Sequence, residues 1–147
     1  CIDQLVNIAE NVEKHPGLRF VSKLNTENDK QKLSLAAVEL AESLGARCIV
    51  VITRRGLMAD LVCNCRPVYS DIYAFTNVSQ ARRTMTLGRG IRPFRIAFSQ
   101  DPEKTLQTAF NVLKEREGFQ SEEKVVVISD VLAGSGKIDA IQIRYLP

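Results

Sequence analysis

The period of the apolar positions changes several times along the chain. Ile2, Leu5, Val6, Ala9 and Val12 recur at steps of three and four, which predicts an amphipathic helix over 2–14. His15-Pro16-Gly17 stops it. Residues 18–25 carry no assignable pattern. Thr26 and Asp29 then give an S/T-x-x-D start signal. Leu33, Ala36, Ala37, Leu40, Ala41 and Leu44 line one face of the helix that follows, and Gly45 is a natural residue to end it. At Arg47–Thr53 the period vanishes into a continuous apolar run. That is the mark of a strand covered on both faces.

The alternation repeats. Leu57–Asn64 reads as a short helix ended by Arg66-Pro67, Ile72–Thr76 as a strand, and Val78–Leu87 as a helix ended by Gly88. Ile91–Phe98 reads as a third strand whose Pro93 needs a strand start or a non-donating position. Asp101 and Pro102 are a cap and a first helical residue for a helix to about Glu117, closed by Gly118. Lys124–Ser129 is a fourth strand. Ala140–Tyr145 alternates and reads as a fifth, at the sheet edge.

Strands separated by helices run parallel, with right-handed crossovers. The last two strands have only a loop between them, so the fifth should be antiparallel. The fold class expected is α/β: a three-layer α/β/α open sheet of five strands, mostly parallel, the last antiparallel. Residues 1–25 form a lead-in helix and connection, and 26–147 the α/β domain.

Composition narrows the function. With 147 residues, 45% of them hydrophobic, one domain can bury a core without staples. No apolar run approaches the roughly 18 residues of a membrane span. The N-terminus, rich in acids and amides, does not read as a signal peptide. A net charge of +3 with no basic block points away from nucleic acid. The cysteines are Cys1, Cys48, Cys63 and Cys65, and the only histidine is His15. One C-x-C pair without further ligands does not make a zinc site, so reduced thiols and a cytoplasmic protein are expected.

Candidate chemistry is confined to loops. Thr53-Arg54-Arg55-Gly56 joins a buried strand to a helix N-terminus, where outward N–H groups favour anions. Two arginines add bidentate phosphate donors, and the glycine allows close approach. The alternative is a solvated turn. Gly134-Ser135-Gly136-Lys137 lies between the last two strands. It is no P-loop, because Val131 stands where the first glycine belongs and no helix follows. It reads as a hairpin connection or a flexible loop beside an anion site. Gly88-Arg89-Gly90 precedes a strand instead of following one, so it is a helix stop and strand start and not a dinucleotide fingerprint. No H-E-x-x-H, G-x-S-x-G or paired-carboxylate signature occurs, so no catalytic or metal residues are assigned.

The order of these segments resembles the C-terminal domain of pyruvate kinase. An alanine-rich helix (35–46) precedes the strand I-V-V-I-T, followed by T-x-x-G at 53–56. Then come L-V-C-N-C-R-P at 61–67, the strand I-Y-A-F-T, Q-A-R at 80–82, L-x-R-G-I-x-P at 87–93, and V-V-V-I-S followed by G-S-G at 134–136. The resemblance runs from about residue 26 to the end. It implies a parent enzyme that transfers phosphoryl from phosphoenolpyruvate to ADP with Mg²⁺ and K⁺, on a barrel outside these residues. The chain starts at Cys1 without Met, as a fragment would, and is expected to be inactive alone and to need no cofactor itself. The resemblance also implies a homotetramer and a sugar-phosphate or nucleotide effector.

In the family the effector phosphate sits on T-x-S-G-R-S. Thr53 and Gly56 match that turn, while Arg55, Leu57 and Met58 replace its serine, arginine and second serine. Each charge-assisted hydrogen bond lost there is worth about 1.5–3 kcal/mol. The candidate phosphate residues are therefore Thr53, Arg54, Arg55, Gly56, Gly134, Ser135, Gly136 and Lys137. Two alternatives stand beside this: a free-standing α/β module for a small phosphorylated ligand, and an assembly domain whose effector turn is lost.

Overall fold

The computed structural model describes residues 2–13, 27–130 and 139–147. Helix α1 (Ile2–Glu13) forms where the apolar period predicts it, and its Ile2, Leu5, Val6, Ile8 and Val12 are all exposed. Thr26 and residues 131–138, with Gly134, Ser135, Gly136 and Lys137, lie outside the described residues.

Helix α2 (Asp29–Leu44) is not started by the Thr26–Asp29 signal. Asn28 caps it: its side chain accepts from the Gln31 N–H, and the Gln31 side chain returns the bond to the Asn28 N–H. The capping box lies two residues later than expected and uses amides in place of hydroxyl and carboxylate. The buried face is Ser34, Ala37, Val38 and Ala41, while Ala36 is exposed. Gly45 ends the helix at φ 60°, as glycine there allows.

Strand β1 (Cys48–Ile52), helix α3 (Leu57–Asn64), strand β2 (Asp71–Thr76), helix α4 (Ser79–Met85) and strand β3 (Ile91–Arg95) follow. Helix α5 (Pro102–Glu117) is capped by the Asp101 carboxylate on the Glu103 N–H at 3.0 Å. Strands β4 (Lys124–Ser129) and β5 (Ala140–Tyr145) complete the chain. β3 stops short of Phe98 because its partner β2 ends at Thr76, opposite Arg95.

The sheet order is β3-β2-β1-β4-β5, parallel except that β5 is antiparallel to β4. Pro93 sits in an edge strand, where a missing N–H costs least. Alternate strand residues feed two cores. Ile49, Val51, Ile72, Ala74, Val126 and Ile128 pack with α2, α3 and α4. Cys48, Val50, Ile52, Tyr73, Phe75, Val125 and Val127 pack with α5, Phe119 and Leu146. All five residues of β1 are fully buried, as an unbroken apolar run between two helical layers requires.

This layering fixes where a ligand can meet the sheet. From β1 the chain runs outward to β2 and β3 with helices on one face. It returns through α5 on the other face to β4, on the far side of β1. The order reverses between β1 and β4, and the crevice at their carboxyl ends is the usual ligand position in such sheets.

Candidate functional site

Thr53 and Asp130 are the residues that leave β1 and β4 at this crevice. The backbone carries both strands one step further: Thr53 N–H bonds to Phe75 O at 2.9 Å and Asp130 N–H to Ile52 O at 3.3 Å. Thr53 is wholly buried. Its hydroxyl donates to Asp130 Oδ2 at 3.4 Å and accepts the Gly56 N–H at 3.3 Å. The Thr76 hydroxyl donates to Arg54 O at 2.9 Å and accepts the Val78 N–H at 3.1 Å, tying the turn to the end of β2.

Gly56 is the N-terminal cap of α3 at φ 88° and is buried. A Cβ there would lie 3.0 Å from Met85 Cγ and 3.3 Å from Met85 Sδ. Glycine is needed here for its conformation and for the approach of α4. Arg54 and Arg55 are exposed. So of the predicted anion residues, the structure brings together Thr53, Arg54, Arg55 and Gly56.

Of the three replaced donors, Leu57 and Met58 behave differently from each other. Leu57 is half exposed at the first turn of α3. Met58 is fully buried in the core under α2, and its Sδ lies 3.3 Å from the Ser34 hydroxyl, which also donates to Lys30 O at 2.8 Å. The sulfur thus fills the helix–helix contact and does not face the turn.

Three further residues were not anticipated from the sequence. Lys30 Nζ bridges Asp130 Oδ2 at 3.5 Å and Asp139 Oδ1 at 3.3 Å. Asp130 Oδ1 is buried and accepts no hydrogen bond among the described residues. A carboxylate one hydrogen bond from Thr53 repels a phosphate, and the orphaned oxygen calls for a donor, not another acceptor. Asp130 ends an apolar strand and could have been noticed. Its pairing with Lys30, a hundred residues away, could not.

Cys63 donates to Arg89 O at 3.2 Å, and Cys65 is buried in the core. Burial pushes both thiols up, Cys65 to about 11, with Glu39 adding to the shift at Cys65. Among the described residues no group of three or more His, Cys, Asp or Glu could hold a metal ion. A cavity of about 310 Å³ lies at the amino edge of the sheet, opposite the turn.

Residues 31–144 match the family described as "Pyruvate kinase, alpha/beta domain". The chain belongs to the pyruvate kinase α/β domain family. It is similar to "Pyruvate kinase isozyme A, chloroplastic" of Ricinus communis, 33% identical over 130 residues, covering 88% of this chain and 21% of the relative. It is also similar to "Pyruvate kinase 2" of Synechocystis sp., 28% identical over 146 residues, covering 97% of this chain and 24% of the relative. Among solved structures, pyruvate kinase of Cryptosporidium parvum in complex with ADP matches with a TM-score of 0.75 at 22% identity, over 84% of this chain and 25% of that one. The last match shows the fold: a mostly parallel five-stranded sheet with helices on both faces.

This pyruvate kinase α/β domain spans about a fifth to a quarter of the length of the relatives it matches. The expectation of a cytoplasmic protein is corrected by the same comparison. The matched proteins of Ricinus communis and Nicotiana tabacum are chloroplastic, and one of Arabidopsis thaliana is plastidial.

Proposed function

We propose that residues 26–147 are the effector-and-assembly domain of a longer plastid pyruvate kinase, with 1–25 leading in from the barrel. The parent transfers phosphoryl from phosphoenolpyruvate to ADP. Mg²⁺ and K⁺ serve that chemistry on the barrel.

We propose further that the effector turn is closed from within. The observation that carries this is the Thr53 hydroxyl, which is already engaged by Asp130 and by the Gly56 N–H. Lys30 supplies the positive charge at Asp130 that a ligand donor would otherwise supply. Arg54 and Arg55 remain at the rim, and with Gly134, Ser135, Gly136 and Lys137 they would be the phosphate donors if the turn opened. The assembly role has a surface to use. β5 is an edge strand that bares Ile143 and Tyr145, and such an edge invites pairing. A homotetramer of the parent fits this.

The test is a thermal-shift screen of the chain and of Asp130→Asn with fructose bisphosphate, other sugar phosphates, AMP and sulfate. A ligand at 100 times its Kd would stabilise by about 2.7 kcal/mol. The expected outcome is no shift for the native chain and a measurable shift for Asp130→Asn with at least one phosphate. A full shift of the native chain would overturn the closed turn. Turnover of phosphoenolpyruvate and ADP by the chain alone would overturn the division of labour.

A further inference from the structure

Beyond the ends of β2 and β3 lies a cleft of about 510 Å³, lined by Asn77, Arg95, Ile96, Ala97 and Phe98. Its volume falls within the range of small-molecule sites. Buried hydroxyls pin its walls. The Thr76 side chain accepts the Val78 N–H at 3.1 Å, which fixes the backbone around Asn77. The Thr105 side chain accepts the Ser99 N–H at 2.9 Å, which fixes the chain just after Phe98. Thr76 and Thr105 are both wholly buried. The cleft is thus formed before any ligand arrives.

The lining divides in two. Ile96 is buried in the core on the α5 side, and Phe98 packs half-buried against the same core. With Ala97 they give the cleft an apolar wall. The polar groups are Arg95 and Asn77, both exposed. Neither makes a hydrogen bond, ion pair or ring contact among the described residues. Arg92, three residues earlier, is the contrast. It meets Glu117 at 2.7 Å and Asp71 at 3.9 Å, and covers the Tyr73 ring at 5.6 Å. The acids of the loop and helix that follow β3 are already engaged. Asp101 caps α5, and Glu103 is held by Arg144 at 2.8 Å. The Ile96 N–H is spent on Thr76 O at 3.0 Å. The grip on a ligand therefore falls to one guanidinium and one amide.

We propose that this cleft binds a small monocarboxylate with an apolar body. Arg95 takes the carboxylate with Asn77 beside it, and the body lies against Ile96, Ala97 and Phe98. A single guanidinium fork matches one carboxylate in donors and in charge. A phosphate dianion asks for more cations than the cleft holds. The N–H groups of α5 that would help it are capped by the Asp101 carboxylate. The competing account is that Arg95 is a solvated charge that blunts the edge strand β3, as Pro93 also does. Such a charge needs no apolar wall, so the two accounts differ in what an apolar carboxylate does. The cleft shares no lining residue with the turn at Thr53–Gly56, so its test is independent of the reading of that turn.

The test is a titration of the whole chain with phenylacetate, followed residue by residue in nitrogen–proton correlation NMR spectra. A probe of this size on an open cleft should bind with a Kd of about 1 mM. Saturable shifts are expected at the Asn77 side-chain amide, the Arg95 Nε–H and the backbone N–H groups of Ala97 and Phe98, with none at Arg54, Arg55 or Gly56. Phenylacetamide, the neutral analogue, should bind at least about tenfold more weakly, because it forfeits the charge-assisted hydrogen bond. The Arg95→Gln chain should lose the same factor with an unchanged melting temperature, since Arg95 has no partner to give up. Acetate, which lacks the body, should not saturate.

No saturable shift in phenylacetate up to about ten times that Kd would overturn the site. So would binding that survives Arg95→Gln, or equal binding of phenylacetamide. Acetate binding as tightly as phenylacetate would overturn the apolar wall and establish the edge-strand account instead. Tighter binding of phenyl phosphate than of phenylacetate would overturn the carboxylate assignment.

Discussion

Replacing Gly56 by alanine tests the turn with a built-in control. Gly56 lies at φ 88°, and an added Cβ meets Met85 Cγ at 3.0 Å and Sδ at 3.3 Å. Gly45 lies at φ 60° with nothing within 4 Å of the added atom. Gly45→Ala therefore measures the conformational term alone, about 1–2 kcal/mol, reduced by up to about 1 kcal/mol because alanine also restricts the unfolded chain. Gly56→Ala adds crowding against Met85, which is 1% exposed and cannot swing into solvent. Overpacking of this kind costs about 1–3 kcal/mol, and the lower half applies because a thioether can give by a few tenths of an ångström. The expected totals are about 1 kcal/mol at Gly45 and about 2–3 kcal/mol at Gly56. Urea denaturation monitored by circular dichroism gives both. For a chain of this length the Gly56 variant should melt about 4–10 °C lower. Equal losses for the two variants would refute the reasoning, because the Met85 contact would then contribute nothing.

Met58→Ser, which restores the hydroxyl of the family's turn, should not restore an effector site. It should destabilise the fold by about 2–5 kcal/mol, since the side chain is fully buried against α2; a chemical denaturation curve would show it. Tyr73 should lower stability in alkali. Burial first, and then the neighbouring Glu117 and Asp71, push its hydroxyl up to about 12, against the pull of Arg92. The folded state thus holds the proton more tightly than the unfolded chain. Stability is full below about pH 10, the unfolded value, and falls as pH rises toward 12. Cys65, pushed up to about 11, acts in the same direction. The stability of Tyr73→Phe should be flatter between about pH 10 and about pH 12 than that of the native chain. Of Cys48, Cys63 and Cys65, the half-buried Cys63 should react first with a thiol reagent. Cys48, wholly buried with its thiol pushed far up, should react only on unfolding.

Much of the fold was legible because one rule acts locally. A strand between two helical layers must be apolar at every position, and a surface helix at every third or fourth. Cys48–Ile52, Lys124–Ser129 and Pro102–Glu117 show this within a residue or so. Boundaries moved where a partner decided them: β3 ends where β2 runs out, and α2 begins at a capping box that the earlier Thr26 signal obscured. The turn Thr53–Gly56 was also readable, because glycine and a strand-to-helix change mark it in the sequence itself.

The state of that turn was not readable. The sequence shows a threonine, two arginines and a glycine, which suit an anion. The fold sets Asp130 beside the Thr53 hydroxyl and brings Lys30 and Asp139 to the same place. It likewise gathers Arg47, Arg66 and Arg89 from three loops into one cavity. Sequence alone determined which segments are helices and strands, since those choices depend on neighbours within a few positions. Tertiary structure decided which charges meet, because strand order brings together residues a hundred positions apart, and no local pattern records that order.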